Sequence, residues 1–474
     1  MKVVLVVCNI ALIGRKRGRL RLRWESTYRE GLASIAGVLR HAGIDVQRLK
    51  VEQDYPDDDF ITLFRDNFAD ADVVGFTTNT VDFPETVRLS RLLKREFPDM
   101  VTVCGGVHPT MSPDETLAGA PDLDMICRGE GELALKELCE QLAAGREPSG
   151  ILGLWIRKGD AIEKNEIRPL IANLDDLPPP YRDLPTVGSY DLNHVKDLDF
   201  FMGTRGCPYK CTYCCNDGIR ALFPNRGDYY RYKSVDAVIG ELTHYLDDHP
   251  KTRFISFYDD VLMADKKWFA EFAEDYAQKV NRACFLTGRW ELLTEQTVPL
   301  VKKLNCLFLL IGVEVGNEKL RRKTLKRNQS DAMMLQRAEL LRRHKVRYGL
   351  FTMVGLPDET LENALETVKL AAKLRGNQII AHHTIFYPFQ GTPLYERCDD
   401  EGVISDRRVG SYFEDTRLDM NQFSRHEIVA AHRRFRWYRF AYWLTYRLPR
   451  RLAQWLEERL DRAWLTPRAR PIEG

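Results

Sequence analysis

From the amino terminus, short runs of apolar residues alternate with longer stretches in which apolar residues recur every three or four positions. "KVVLVV" has the unbroken apolar character of a buried strand, and "YREGLASIAGVLRHAG" has the spacing of an amphipathic helix ending at Gly43. The alternation continues with "ADVVGFTT" as strand, "PETVRLSRLLKREFP" as helix, "VTVCGG" as strand, and "DMICRGEGELALKELCEQLAAG" as a strand running into a helix. Strands that are apolar on both faces, separated by helices, predict a parallel sheet covered on both sides. The reading for residues 1–145 is therefore α/β, a doubly wound Rossmann-like domain. Ligands of such sheets sit at the carboxyl ends of the strands. Thr77, Thr78, Gly105 and Gly106 fall there, followed by His108. Taken singly, each is an ordinary turn residue or a structural histidine.

The texture changes over residues 146–195. "LPPPYRDLPTVGSYDLN" is proline-rich and reads as a linker between domains. Strand and helix patterns then resume over residues 196–395. Six candidate strands, "DFFMGTRG", "RFISFYDD", "ACFLTGR", "FLLIGVEV", "RYGLFTMVG" and "IIAHHTIFYP", are spaced by helical segments. Repeats of this kind predict a partial parallel (β/α)6 TIM-like barrel, whose chemistry belongs at the carboxyl ends of its strands. Residues 396–474 carry helical patterns without a convincing strand.

The chain of 474 residues is 44% hydrophobic and 29% charged, with a formal net charge of +2. That balance implies several domains and no global attraction to nucleic acid. The apolar start is followed, not preceded, by basic residues, so it reads as a first strand rather than a signal peptide. The basic loop Arg15–Arg23 reads as solvated. Eleven cysteines, mostly scattered singly, argue against a secreted disulfide framework and for a reducing cytoplasm.

Four of those cysteines are not scattered. In "GTRGCPYKCTYCCN", Cys207, Cys211 and Cys214 form C-x3-C-x2-C just after the first barrel strand. Three thiolates on one loop suit three corners of a four-iron cluster and leave the fourth iron open. Cys215, adjacent to Cys214, points elsewhere. Structural zinc is the alternative, but it needs four closed ligands and no second cysteine pair is present.

With Tyr213 included, C-x3-C-x-aromatic-C resembles the signature of radical S-adenosylmethionine (SAM) enzymes. "VTVCGGVHPTMSPDETL" and "CRGEGELALKEL" resemble segments of the subgroup with an amino-terminal cobalamin-binding domain. "FYDDVLMADKKW", "IGVEVGNEKLRRKTLKR", "FTMVGLPDET" and "YPFQGTPLYE" resemble its barrel segments. The likeness runs through about residues 1–400. Two departures stand out. The D-x-H-x-x-G motif is absent, leaving the lower axial ligand of cobalt undefined, and in "GLPDET" Asp358 stands where the family usually has glycine.

The resemblance implies an enzyme with a [4Fe-4S] cluster, SAM and cobalamin. Reductive cleavage of SAM would give a 5′-deoxyadenosyl radical that removes hydrogen from an unactivated carbon, and cobalamin would supply a methyl group. It also implies a small-molecule or lipid substrate and an electron donor of the flavodoxin or ferredoxin type. Cyclisation, oxidation or rearrangement is the alternative outcome, and a non-catalytic redox sensor a remote one. Cys207, Cys211 and Cys214 would hold the cluster. Asp259 and Asp260 would bind the SAM ammonium or merely end a strand. Arg289 would fork the SAM carboxylate or form a surface ion pair. Glu314, closing a very apolar strand, needs a partner: SAM, or a neighbouring lysine or arginine. Gly355 and Pro357 would shape a loop over adenine, and Tyr213 would approach adenine or pack. Thr77, Thr78, Gly105, Gly106 and His108 would touch cobalamin. The basic, aromatic carboxyl-terminal helix either covers the barrel or associates with a membrane surface. Its aromatics surround more than one narrow stripe, which favours covering.

Overall fold

The computed structural model describes residues 1–8, 30–51, 55–188, 198–377, 381–407, 409 and 411–466. The loop Arg15–Arg23 lies outside the described residues. The chain divides into two units: Met1–Lys196 with Cys215–Lys233 and Phe389–Gly391, and the remainder.

The first unit is built on eight strands: β1 (Lys2–Cys8), β2 (Asp45–Val51), β3 (Val73–Thr77), β4 (Val101–Gly105), β5 (Met125–Cys127), β6 (Leu154–Lys158), β7 (Ala161–Lys164) and β8 (Thr186–Gly188). Their order is β7-β6-β5-β4-β3-β1-β2-β8. The pairings from β5 through β8 are parallel, and β6 and β7 add antiparallel strands at one edge. Alternate residues of the central strands feed two separate cores. Phe60, Phe64 and Leu89 pack on one face, and Leu32, Leu39 and Leu138 on the other. This is the doubly wound arrangement expected from strands apolar on both faces.

Residues 146–195 are not the bare linker read from their prolines, for β6, β7 and β8 all lie within them. Leu154 and Ile156 are buried, which holds the β6–β7 hairpin on the sheet. The proline run lies along helix Glu30–His41. Tyr181 N donates to Ala33 O at 2.8 Å, Arg182 pairs with Glu30 at 2.8 Å, and a side chain at Gly37 would meet Pro179 O at 2.4 Å. Residues 215–233 also belong here rather than with the barrel. Arg231 makes a two-pronged ion pair with Glu130, at 3.0 and 3.1 Å, and Phe223 joins Ile167 and Leu170 in a small apolar cluster.

The second unit carries β9 (Leu198–Phe201), the two-residue strand β10 (Thr204–Arg205), and, after β11 (Arg231–Tyr232) of the first unit, β12 (Phe254–Phe257), β13 (Ala283–Gly288), β14 (Cys306–Glu314), β15 (Tyr348–Val354) and β16 (Ala381–Ile385). Six of them form one parallel sheet in the order β16-β15-β14-β13-β12-β9, a partial barrel. Helices Val235–Asp248, Lys266–Asp275, Asp331–Arg343 and Leu361–Leu374 fall where the apolar spacing predicts them. Beyond the sheet come helices Pro393–Asp400, Arg425–Thr445 and Arg450–Leu465. Among the described residues no helix is long and apolar enough to cross a membrane.

Candidate active site

The cysteine loop leaves the carboxyl end of β9, and its entry is fixed from β12. Asp259, just past β12, is buried. Its Oδ1 accepts from Gly203 N at 2.9 Å, from Thr204 N at 2.6 Å and from Thr204 Oγ1 at 2.6 Å. Burial pushes its carboxyl up to about 7, although those same bonds pull the other way. Its Oδ2 has no partner among the described residues. Asp259 is thus tied to the backbone that delivers the cysteines. The loop is pinned again at Thr212, which donates to Thr324 O at 2.5 Å and accepts from Leu394 N at 3.0 Å.

Cys207 and Cys211 are buried and Cys214 is half-buried, with Cys214 N turned onto Cys211 O at 3.1 Å. Two guanidinium groups flank Cys211. Arg289 Nη1 donates to its Sγ at 3.3 Å, and Arg327 Nη1 lies 4.0 Å from the same sulfur. Arg289 is otherwise engaged with Glu291, at 2.7 Å through Nη2, and stacks on Tyr209 at 3.7 Å. Arg327 donates to Tyr213 Oη at 3.0 Å and Gly312 O at 3.1 Å, and pairs with Glu314 at 3.1 Å. Burial works against charge on Arg327, yet Tyr213, Glu314 and Cys211 together raise its pKa above the ordinary arginine value.

Glu314 therefore finds the intramolecular partner that an apolar strand end demands. A bulge between Gly312 and Glu314 in the β14–β15 pairing brings the carboxylate back toward its own strand, with Glu314 at φ +64°. A Cβ at Gly312 would sit 2.1 Å from Glu314 Oε1, so only glycine leaves room for the pair. Arg321, fully buried in the short helix Glu318–Lys323, donates to Val315 O at 2.6 Å and Gln329 O at 2.7 Å and so braces the stretch that carries Arg327.

The "GLPDET" loop follows β15. Glu359 N bonds to Leu356 O at 3.1 Å, closing a turn with Pro357 and Asp358 at its centre. Asp358 has φ +67°, the conformation for which glycine is the usual choice. Its carboxylate is anchored by Arg397 at 2.6 and 2.7 Å and by Thr324 at 2.9 Å, which offsets the backbone cost. Underneath, Glu359 is wholly buried. Its Oε2 accepts from Gly355 N at 2.6 Å and Leu356 N at 3.0 Å, while Oε1 has no partner among the described residues. Burial raises its pKa to about 8.

In the first unit, the carboxyl ends of β3 and β4 bring the other predicted residues together. Thr78 N donates to Gly105 O at 2.8 Å, and His108 N donates to Thr78 O at 3.2 Å. Thr78 Oγ1 lies 2.8 Å from Thr86 Oγ1. Gly106 has φ +106°, and a Cβ there would meet Thr78 O at 2.7 Å. His108 is buried against Phe83, ring centroids 4.2 Å apart, and neither ring nitrogen has a partner among the described residues. Burial lowers its pKa to about 4, so the ring is neutral near pH 7.

These residues fit the cofactors that the sequence resemblance implies. Three cysteines on one braced loop, with cations beside Cys211, form a donor set suited to an anionic iron–sulfur cluster. Among the described residues, no three His, Cys, Asp or Glu side chains converge on a single ion position. The narrow strand-end turn at Gly105–Gly106 with an unpartnered imidazole beside it suits a large polar ligand of a doubly wound sheet. The sequence reading named the cysteines, Arg289 and Glu314 as site candidates. It missed Arg327, Glu291 and Glu359. Arg327 was signalled only by the need of Glu314 for a cation.

Comparison with known proteins agrees with this reading. The model of the B12 binding domain matches residues 26–139, and that of the radical SAM superfamily matches residues 202–371. An uncharacterized methyltransferase of Pyrococcus horikoshii is 30% identical over 334 residues, 69% of each chain. An anaerobic magnesium-protoporphyrin IX monomethyl ester cyclase of Rubrivivax gelatinosus is 24% identical over 393 residues, covering 79% of this chain and 67% of the relative. The fold of the radical SAM methyltransferase TsrM of Kitasatospora setae, solved with cobalamin and a [4Fe-4S] cluster bound, superposes with a TM-score of 0.66. That match has 16% identity and covers 84% of this chain and 75% of TsrM. The chain belongs to the cobalamin-binding radical SAM enzymes, with a [4Fe-4S] cluster, SAM and cobalamin as its cofactors.

Proposed function

We propose that this enzyme transfers a methyl group to an unactivated carbon of a small organic or lipid substrate. The observation that carries the reading is the braced C-x3-C-x2-C loop with Arg289 and Arg327 beside Cys211, in a chain that also carries the strand-end site around His108. When bound, the cluster and SAM supply a carbon-centred radical, and cobalamin supplies the methyl carrier.

Cys207, Cys211 and Cys214 would hold three irons. Arg289 and Arg327 place positive charge beside the Cys211 sulfur, and Glu291 and Glu314 in turn hold the two guanidinium groups. Hydrogen bonds to cluster sulfurs raise reduction potential, so these arginines ease electron entry from a flavodoxin- or ferredoxin-type donor. Asp259, Arg289 and Glu314 act by positioning the loop and its charges rather than by gripping SAM. The SAM contacts fall to Asp260, Tyr213 and the Gly355–Pro357 turn. Thr77, Thr78, Gly105, Gly106 and His108 would meet cobalamin. We assign residues 1–196 and 215–233 to the cobalamin unit, and the scatter of most of the eleven cysteines along the chain supports a reducing cytoplasm.

The test is anaerobic incubation of the reconstituted enzyme with reductant, cell extract and methyl-labelled SAM, followed by a mass search for a labelled product. A labelled carbon-methylated compound is expected. Cyclisation is the second reading, favoured by the cyclase relative; a product that changes mass without gaining the label would support it over methylation.

A further inference from the structure

The carboxyl-terminal helix Arg425–Thr445 shows two different faces. One covers the second unit: Phe435, Tyr438 and Tyr442 are buried, and Trp464 of helix Arg450–Leu465 donates its indole N–H to Leu361 O at 3.1 Å. The opposite face is apolar and open to water. Trp437, Phe440 and Leu444 follow at spacings of three and four residues and are 64%, 47% and 45% exposed. Leu448, Leu452 and Trp455 continue the exposed series into the last helix.

The exposed charges of this segment are positive with one exception. Between Arg433 and Arg462, seven arginines are exposed and Glu458 is the single exposed acid. The other acids of the segment are turned inward: Glu457 and Asp461 pair with Lys369 at 3.0 and 2.7 Å. Arginines also lie over the aromatic rings, Arg447 at 3.4 Å from Trp443 and Arg459 at 4.5 Å from Trp455. Apolar and indole side chains flanked by arginines match the boundary between acyl chains and anionic headgroups. A second copy of this chain would bring the same seven arginines against themselves, which opposes a self-complementary contact.

We propose that this exposed face docks the chain on an anionic phospholipid bilayer. The segment covers the second unit with its buried side, and the membrane-surface reading of the sequence is the proposal for its exposed side. The proposal is independent of the chemistry assigned to the cysteine loop.

The experiment is co-sedimentation of the reconstituted full chain with phosphatidylcholine vesicles, with and without phosphatidylserine. Binding is expected only with phosphatidylserine, and raised salt should weaken it. Arg450→Glu with Arg451→Glu should reduce partitioning at least about tenfold, because each basic residue near an anionic surface contributes roughly fivefold. Trp437→Ser with Trp455→Ser should reduce it too, while iron content and melting temperature stay at wild-type values. No binding to phosphatidylserine vesicles would overturn the proposal, as would binding indifferent to both pairs of substitutions. A vesicle-free dimer that Trp437→Ser dissociates would assign the face to a second copy instead. SAM cleavage measured without vesicles reports on the active site separately, so failure of one reading is distinguishable from failure of the other.

Discussion

Replacing Glu314 by glutamine keeps the shape of the side chain and removes its charge. The structure then leaves Arg327 buried beside Cys211 without its carboxylate. At 3.1 Å and an effective dielectric of about 20, the direct attraction is on the order of 5 kcal/mol. Breaking one side of a buried pair costs roughly 3–5 kcal/mol. Arg327 keeps Tyr213 Oη at 3.0 Å and Gly312 O at 3.1 Å, so the lower end applies. A loss of about 3 kcal/mol corresponds to a fall in Tm of about 6–12 °C for a unit of this size. The assay is thermal unfolding of the anaerobically reconstituted protein, with SAM affinity measured on the same preparation. Because Glu314 is satisfied within the chain, SAM affinity at a temperature where the variant is folded should stay within about twofold, a difference of roughly 0.4 kcal/mol. Adding Arg327→Met should restore part of the stability, since the orphaned cation is then gone. An unchanged Tm combined with a large loss of SAM affinity would refute the reasoning and return Glu314 to the role of a direct SAM ligand.

Three further outcomes follow from the same geometry. Asp259→Ala leaves Gly203 N, Thr204 N and Thr204 Oγ1 without their acceptor, each worth about 1–3 kcal/mol if it stays buried and unpaired, and iron analysis should show a severe loss of cluster. Gly106→Ala, strained by φ +106° and by Thr78 O at 2.7 Å, should lose cobalamin in the visible spectrum after gel filtration yet keep its iron; loss of both together would show that the effect is not local. Glu359, held up at about 8 against an ordinary 4.5, keeps its proton in the folded chain where the unfolded chain has released it. Its contribution is thus full below about pH 4.5 and is lost as pH rises to about 8, with a slope of at most about 1.4 kcal/mol per pH unit. Asp259 adds to that slope below about 7, so Glu359→Gln should flatten the fall of Tm with pH without abolishing it.

The apolar periodicity carried the architecture because burial dictates it directly. Strands β1, β3 and β4 are apolar on both faces, and that can only mean a sheet covered twice. The hairpin of β6 and β7 was legible too, as "LWIRK" and "AIEK" flank the two-residue turn Gly159-Asp160, but the prolines farther on drew the segment toward a linker reading. β8, three residues long, gives no pattern to read. At the site, the spacing of the cysteines declares their chemistry, since ligand geometry fixes it locally. The partners of Asp259 and Glu314 were not legible. One is spent on backbone N–H groups 55 and 56 residues earlier, which no residue type signals. The other depends on a bulge and on the helix and loop that return Arg327 to Gly312 of β14. Asp358 was visible as a departure, and only the structure shows Arg397 anchoring it.

The most direct test of the account is reductive cleavage of SAM by anaerobically reconstituted wild-type, Cys214→Ala and Cys215→Ala chains, with iron counted in each. Wild type and Cys215→Ala should hold about four irons per chain and release 5′-deoxyadenosine, and Cys214→Ala should do neither. Cleavage that survives in Cys214→Ala, or that vanishes as completely in Cys215→Ala, would contradict the three-cysteine site on which the account rests.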